Sequence, residues 1–232
     1  MKKTLYIAAA VIAVMFAASC QKDDVQAAKK GMTLSANVEE TKAIIEKDGS
    51  VWHFNWEAGD VVRVTSPSGK SYDFTYDGTS FKCETAVPEA GTWTAVYPAN
   101  FKTDGIDLKN QDGTIRSAMS NFYMECDFSS SGSSTLSCTM NPQLAVLAVT
   151  FTAKASKCTI MAASGAGYYK KLKNDGKWEL STSPIYFPAT TSASETQYFV
   201  VPAGVSIMVV SGTYSKDKIL DKGKVYTLLL AK

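Results

Sequence analysis

An all-β body divided into two consecutive β domains is the fold the sequence predicts. Short runs of alternating apolar and polar residues recur along the chain, turns containing Gly or Pro separate them, and no stretch shows the 3.6-residue periodicity of a convincing amphipathic helix. This spacing suits a sandwich or a barrel and not strands alternating with helices.

The first residues stand apart from that body. Lys2 and Lys3 precede an apolar run from Leu5 to Ala18, which ends in Ala17, Ala18 and Ser19 before Cys20. Such a run is shorter than the roughly 20 residues a bilayer span needs, and polar QKDD follows it directly, so residues 1–19 are expected to be a signal peptide. A cysteine placed straight after small residues resembles the lipobox of bacterial lipoproteins, with Ala17 where that motif usually has Leu. The resemblance implies acylation of Cys20, with palmitate among the chains. Each buried methylene then contributes about 0.8 kcal/mol, and more than one chain gives stable attachment. Gln21-Lys22-Asp23-Asp24 looks like the signal that sends certain lipoproteins to the outer face of the outer membrane, and residues 20–31 are expected to be a flexible tether.

In the body, strands are expected at 33–38, 51–56, 60–66, 71–76, 80–85, 92–98, 122–128, 135–140 and 144–153. A second set is expected at 157–162, 177–180, 196–201, 206–214 and 224–231. Glu57-Ala58-Gly59, Pro67-Ser68-Gly69, Asp77-Gly78 and Pro88 to Gly91 supply the reversals, while Asn174-Asp175-Gly176 and Asp221-Lys222-Gly223 suit tight hairpins. Pro142 cannot donate to a ladder, so the boundary is placed there, with one domain at 32–142 and another at 143–232. A single extended sandwich is the alternative.

Composition excludes more than it assigns. With 24 basic against 22 acidic residues the chain is near neutral, and Arg63 and Arg116 form no basic stripe, so nucleic acid is not an expected partner. The one histidine, His53, falls in an alternating run on the solvent side, which leaves Ser or Cys nucleophiles without an imidazole base. A carboxylate-pair glycosidase needs no histidine, but Asp and Glu are scattered through turns, so no enzyme is expected. Asp104 to Asp112 lacks the glutamate and alternating ligands of a calcium loop and is expected to be a turn-rich loop. No cofactor or metal is expected.

The body carries Cys83, Cys126, Cys138 and Cys158, at spacings that match no zinc ribbon or CxxC motif. If the runs at 122–128 and 135–140 form a hairpin centred on Gly132, Cys126 falls opposite Cys138 and Phe128 opposite Leu136. A disulfide between Cys126 and Cys138 and two buried thiols are then equally open. The bridge would contribute about 3 kcal/mol.

Several landmarks together resemble the fimbrillin-like surface lipoproteins of anaerobic Gram-negative bacteria. These are Trp56 through Val64 (WEAGDVVRV), Trp93 through Ala99 (WTAVYPA), Met140 through Phe151 (MNPQLAVLAVTF) and Gly223 through Thr227 (GKVYT). The resemblance implies two transthyretin-like β-sandwich domains, a lipoprotein of the outer membrane and cell surface, and pili assembled by strand exchange. In that scheme a protease removes the lipid with the first strand, and a neighbouring subunit's strand fills the groove. Family members are cut after an arginine in the loop following that strand, whereas residues 33–50 here hold Lys42 and Lys47 but no arginine, which makes Lys42 the candidate processing site. The expected partners are the membrane through the lipid, other pilus subunits, and host or bacterial surface ligands. The alternative is a glycan-binding surface lipoprotein in which Tyr72, Tyr76, Tyr168 and Tyr169 stack on sugars.

Overall fold

The computed structural model describes residues 31–38, 54–153, 157–189, 192–211 and 214–230. Its elements in order are β1 (Met32–Val38), β2 (Val61–Thr65), β3 (Ser71–Tyr76), β4 (Phe81–Cys83), β5 (Ala90–Tyr97), α1 (Phe101–Asp104), β6 (Ile106–Asp107), a 3-10 turn (Leu108–Asn110), α2 (Ile115–Ser120), β7 (Met124–Ser131) and β8 (Thr135–Pro142). There follow β9 (Ala145–Phe151), β10 (Thr159–Ala162), β11 (Tyr168–Leu172), β12 (Trp178–Ser181), β13 (Thr196–Val201), β14 (Ser206–Ser211), β15 (Tyr214–Ile219) and β16 (Val225–Leu230). The protein is predominantly β, as the sequence predicts, and no helix among the described residues is long and apolar enough to cross a membrane.

Strands β1 to β5, β7 and β8 join in a closed ring of order β1-β4-β3-β2-β5-β7-β8. The ring has two short seams. Strands β3 and β4 pair only at Thr75 with Lys82 and Tyr76 with Phe81, and β7 and β8 pair only at Met124 with Pro142 and Glu125 with Asn141. Elsewhere the ladders are longer, so the ring resolves into two faces, β7-β5-β2-β3 and β4-β1-β8, that meet at corners. This is how a closed sheet still packs as a sandwich. Alternation sets the core: Val62, Val64, Phe74, Trp93, Leu34 and Leu136 point between the faces and are buried.

In the second half, β12-β11-β10-β14-β15 form one sheet and β13-β9-β16 another. Strand β9 is apolar and buried at every position but the half-buried Thr150, as befits a strand covered on both faces. Phe187 stacks on Phe199 with ring centroids 4.1 Å apart, within the core that also holds Ile160, Ile207, Val209 and Leu220.

Three expectations are corrected. Phe54 to Trp56 lie outside any strand, and their rings instead plug one end of the sandwich: Trp56 meets Phe54 at 4.7 Å, Phe81 at 4.9 Å and Tyr97 at 5.0 Å. The run at 206–214 belongs to two strands, β14 and β15. The segment between β5 and β7 is not a plain loop, because it carries α1, β6, the 3-10 turn and α2, with Thr114 capping α2 by accepting from the Ser117 N–H at 3.1 Å.

Candidate functional site

Strand β1 fills the gap between β4 and β8. It runs parallel to β8 from Thr33 opposite Thr135 to Val38 opposite Met140, and antiparallel to β4 only from Met32 opposite Cys83 to Leu34 opposite Phe81. Parallel neighbours normally need a long crossover. Here β1 comes first in the chain and β8 last in the ring, so the chain ends of the first sandwich meet at this ladder. Met32, Leu34 and Ala36 point into the core, whereas Ser35 and Asn37 face solvent. Burial of Leu34 alone contributes about 2 kcal/mol.

The upper half of β1 outruns the short β4. There the Trp56 indole N–H donates to the Ala36 carbonyl at 2.7 Å and takes the place of a strand partner. A groove of about 340 Å³ runs along this stretch, lined by Thr33 to Asn37, Trp56, Tyr76 and Phe81. One strand, fastened on one side by a full ladder and on the other by half a ladder and an indole, therefore closes the sandwich.

The Gly-Asp turn after Trp56 does more than reverse the chain. Gly59 has φ 95°, which suits a residue without Cβ, and the Asp60 carboxylate is buried. It accepts from the Glu57 N–H at 2.8 Å, the Tyr97 hydroxyl at 3.3 Å and the Arg116 guanidinium at 3.0 Å. Burial, followed by the Asp60 charge, raises the pKa of the Tyr97 hydroxyl well above its ordinary value. Sequence reasoning assigned Gly59-Asp60 to a turn and missed this role, since Arg116 lies far along the chain.

A second structure ties the two halves together. Ile106 and Asp107 pair with Leu172 and Lys171 of β11, and Gly113 accepts from the Tyr198 N–H at 2.8 Å. The buried Gln111 amide spans β13, donating to the Val200 carbonyl at 3.0 Å and accepting from the Val200 N–H at 2.7 Å. Gly105, at φ 67° and ψ −162°, passes so close to β11 that a Cβ there would sit 2.2 Å from the Leu172 carbonyl oxygen. Asp107 and Asp112 cap local turns: Asp107 accepts from the Lys109 N–H, and Asp112 from the Thr114 N–H and hydroxyl. Among the described residues no cluster of three His, Cys, Asp or Glu could hold a metal.

Of the sequence-predicted positions, Cys20, Lys42, Lys47 and His53 lie outside the described residues. Cys126 and Cys138 are buried free thiols, and so is Cys158, while Cys83 is half-buried. The expected register is corrected. Extending the β7–β8 pairs places Cys126 opposite Met140, because the pairing is centred on Ser133 and not on Gly132. Both Sγ atoms nonetheless converge on the Met140 thioether, at 3.6 and 3.8 Å. The influence of each thiol on the other raises the pKa of Cys138 and lowers that of Cys126. The four tyrosines do not form one platform: Tyr72 and Tyr76 lean on Trp93 and Phe81, Tyr169 is buried edge-on against Trp178, and Tyr168 is half-exposed.

No family model matches the chain, and no curated protein matches it. Solved structures do. A candidate cell adhesion protein from Bacteroides uniformis superposes with a TM-score of 0.50 at 14% identity, covering 88% of this chain and 94% of its own. Another from Bacteroides ovatus gives 0.52 at 12% identity, covering 88% and 92%. A fimbrial protein from Bacteroides ovatus aligns at 11% identity and a TM-score of 0.46, over 88% of this chain and 50% of its own. At these identities the first two likenesses concern the fold.

Proposed function

We propose that this chain is a cell-surface, pilus-associated adhesin, held at the outer membrane by a lipid on Cys20 and joined to its neighbours by exchange of β1. The observation that carries the reading is the place of β1. It completes a sandwich, contributes Met32, Leu34 and Ala36 to the core, and depends mostly on main-chain ladders that any strand of matching alternation reproduces. Two structures of the same fold come from candidate cell adhesion proteins, which supports a surface role. Cleavage after Lys42 would free β1 together with the tether, leaving an open groove between β4 and β8. The chemistry is that of surfaces: no step requires a catalytic group, and the partners are further subunits and surface ligands.

The test is a lock. Ser35 and Ser137 are exposed and paired in the parallel β1–β8 ladder, so Ser35→Cys with Ser137→Cys is placed to form a cross-strand disulfide. Electron microscopy and denaturant-resistant ladders should show filaments for the wild type and none for the oxidised double variant, with recovery on reduction. Filaments formed equally well by the locked protein would refute exchange of β1. Incorporation of labelled palmitate, abolished by Cys20→Ala, tests the anchor; label persisting in that variant refutes it. In this reading an extracytoplasmic thiol oxidant takes two electrons and two protons from Cys126 and Cys138 to join them in a disulfide, and quantitative alkylation of both without prior reduction would count against that.

A further inference from the structure

A cleft of about 460 Å³ opens where the two halves of the molecule meet, a size in the usual range for small-molecule sites. One wall comes from the first half, with Lys102 after β5 and Glu125 on β7. The other comes from the β11–β12 hairpin, with Asn174, Asp175 and Trp178, and from Lys222 in the turn before β16. The joint beneath it is stitched by main-chain and side-chain bonds. The β6–β11 pairing and the buried Gln111 amide hold the two walls in register, so the cleft is formed before any ligand arrives.

Three features point to the class of ligand. The first is Trp178. Trp56 and Trp93 each donate their indole N–H to a carbonyl, of Ala36 and Glu89, whereas the half-buried Trp178 N–H has no acceptor among the described residues. An apolar ring with an unspent donor therefore lines the cleft. The second is charge. The ionic groups balance, with Lys102 and Lys222 against Glu125 and Asp175, so the lining favours neither a polyanion nor a polycation. The third is the mixture of donors and acceptors. Lys222 donates to Gln143 at 2.6 Å and Asn174 donates to the Lys102 carbonyl at 3.1 Å, fixing both walls, while the Asn174 side-chain carbonyl and the second Asp175 oxygen remain as acceptors in a lining that also holds the Lys102 and Lys222 ammonium groups. Glu125 is held in place by the Tyr123 hydroxyl and by Lys102 at 3.8 Å. A ligand rich in hydroxyls, each of which both donates and accepts, and with an apolar C–H face to lay on an indole, satisfies all three.

We propose that this cleft binds a neutral oligosaccharide, with one pyranose ring against Trp178 and its hydroxyls shared among Asn174, Asp175, Lys222 and Glu125. The site deepens the adhesin reading and takes its biological setting from it, yet it stands on different residues from β1. Loss of filament assembly in the locked protein leaves glycan binding untouched, and loss of glycan binding leaves assembly untouched, so the two fail separately.

The experiment uses the purified full chain in detergent on a glycan array of neutral and acidic oligosaccharides, followed by calorimetric titration of the bound sugars. Neutral glycans should bind. Trp178→Ala should weaken them by about tenfold or more and the exposed Lys222→Ala by about threefold, with Trp178→Phe, which keeps a ring face and loses the N–H donor, falling between wild type and Trp178→Ala. Because Trp178 packs on Tyr169, circular dichroism of each variant establishes that the fold is kept, and Lys222→Ala reports on the cleft without touching the core. The proposal is overturned if no glycan binds. It is equally overturned if Trp178→Ala and Lys222→Ala bind as the wild type does, or if only acidic glycans bind and added salt releases them.

Discussion

The first strand and the segment between β5 and β7 both close gaps between neighbouring pieces of sheet, but by opposite means. Strand β1 relies on main-chain ladders and three inward side chains, of which Met32 and Leu34 are large. The 98–123 segment relies on particular atoms: a glycine that admits the Leu172 carbonyl, a glutamine whose amide matches both polar groups of Val200, and an arginine that reaches the buried Asp60. Main-chain bonds are reproduced by any strand, and side-chain bonds of this kind only by this sequence. In the proposed reading, one gap takes a replaceable occupant and the other a permanent one.

The comparison breaks most sharply at Gly105. Its backbone conformation is one essentially reserved for glycine, costing about 1–3 kcal/mol for any other residue, and a Cβ would collide with main chain that cannot rotate away. Gly105→Ala should destabilise the protein by about 4 kcal/mol, adding the lost β6–β11 pairing. Urea unfolding should separate into two transitions as the halves uncouple. A single transition with an unchanged midpoint would mean that the segment is an ornament.

A smaller effect is expected at the other gap. Leu34→Ala removes buried methyls facing Phe81 and Leu136, at a cost of about 2–3 kcal/mol, and the open groove beside β1 gives the site room to relax. The loss should fall on the first sandwich alone. Addition of a synthetic peptide with the sequence of residues 32–38 should restore stability in a concentration-dependent way, as exchange of β1 requires. A variant that the peptide leaves unchanged would argue for a permanent β1.

How much of this was legible in the sequence follows the same division. Strands β3 and β13 match their expected bounds to the residue, because β3 alternates and β13 runs apolar from Tyr198 to Val201, and the inward set of β1 follows from alternation alone. Gln111 was illegible. A polar residue in a turn-rich stretch gives no local sign that its partner lies 89 positions away. Residues 54–56 misled for another reason: an aromatic alternation that suits a strand serves equally well as a plug. The Cys126–Cys138 register failed because the pairing centres on Ser133, one residue beyond the Gly132 that the turn chemistry suggested. Trp178 was passed over in favour of the neighbouring tyrosines, since an indole on a strand looks the same whether its N–H is spent or not.

The smallest effect distinguishes the two regions by their thiols. Cys83 sits on β4 opposite Met32 of β1, half-buried, with its Sγ 3.4 Å from the Thr85 hydroxyl. Cys158 precedes β10 in the stitched half, where burial pushes its pKa up to about 12. A native-state alkylating reagent should therefore modify Cys83 within minutes and Cys158 only on the timescale of global opening. The sign of the pH effect follows. An unfolded thiol ionises near pH 8.5–9 while the folded Cys158 stays protonated, so its contribution to stability is complete below that range and falls as pH rises toward 12, by about 1.4 kcal/mol near pH 10. Cys158→Ala should flatten this alkaline decline, measured as the urea midpoint against pH. If instead Cys158 reacts as fast as Cys83, the stitched half opens as readily as the strand proposed to exchange, and the contrast between the two gaps is lost.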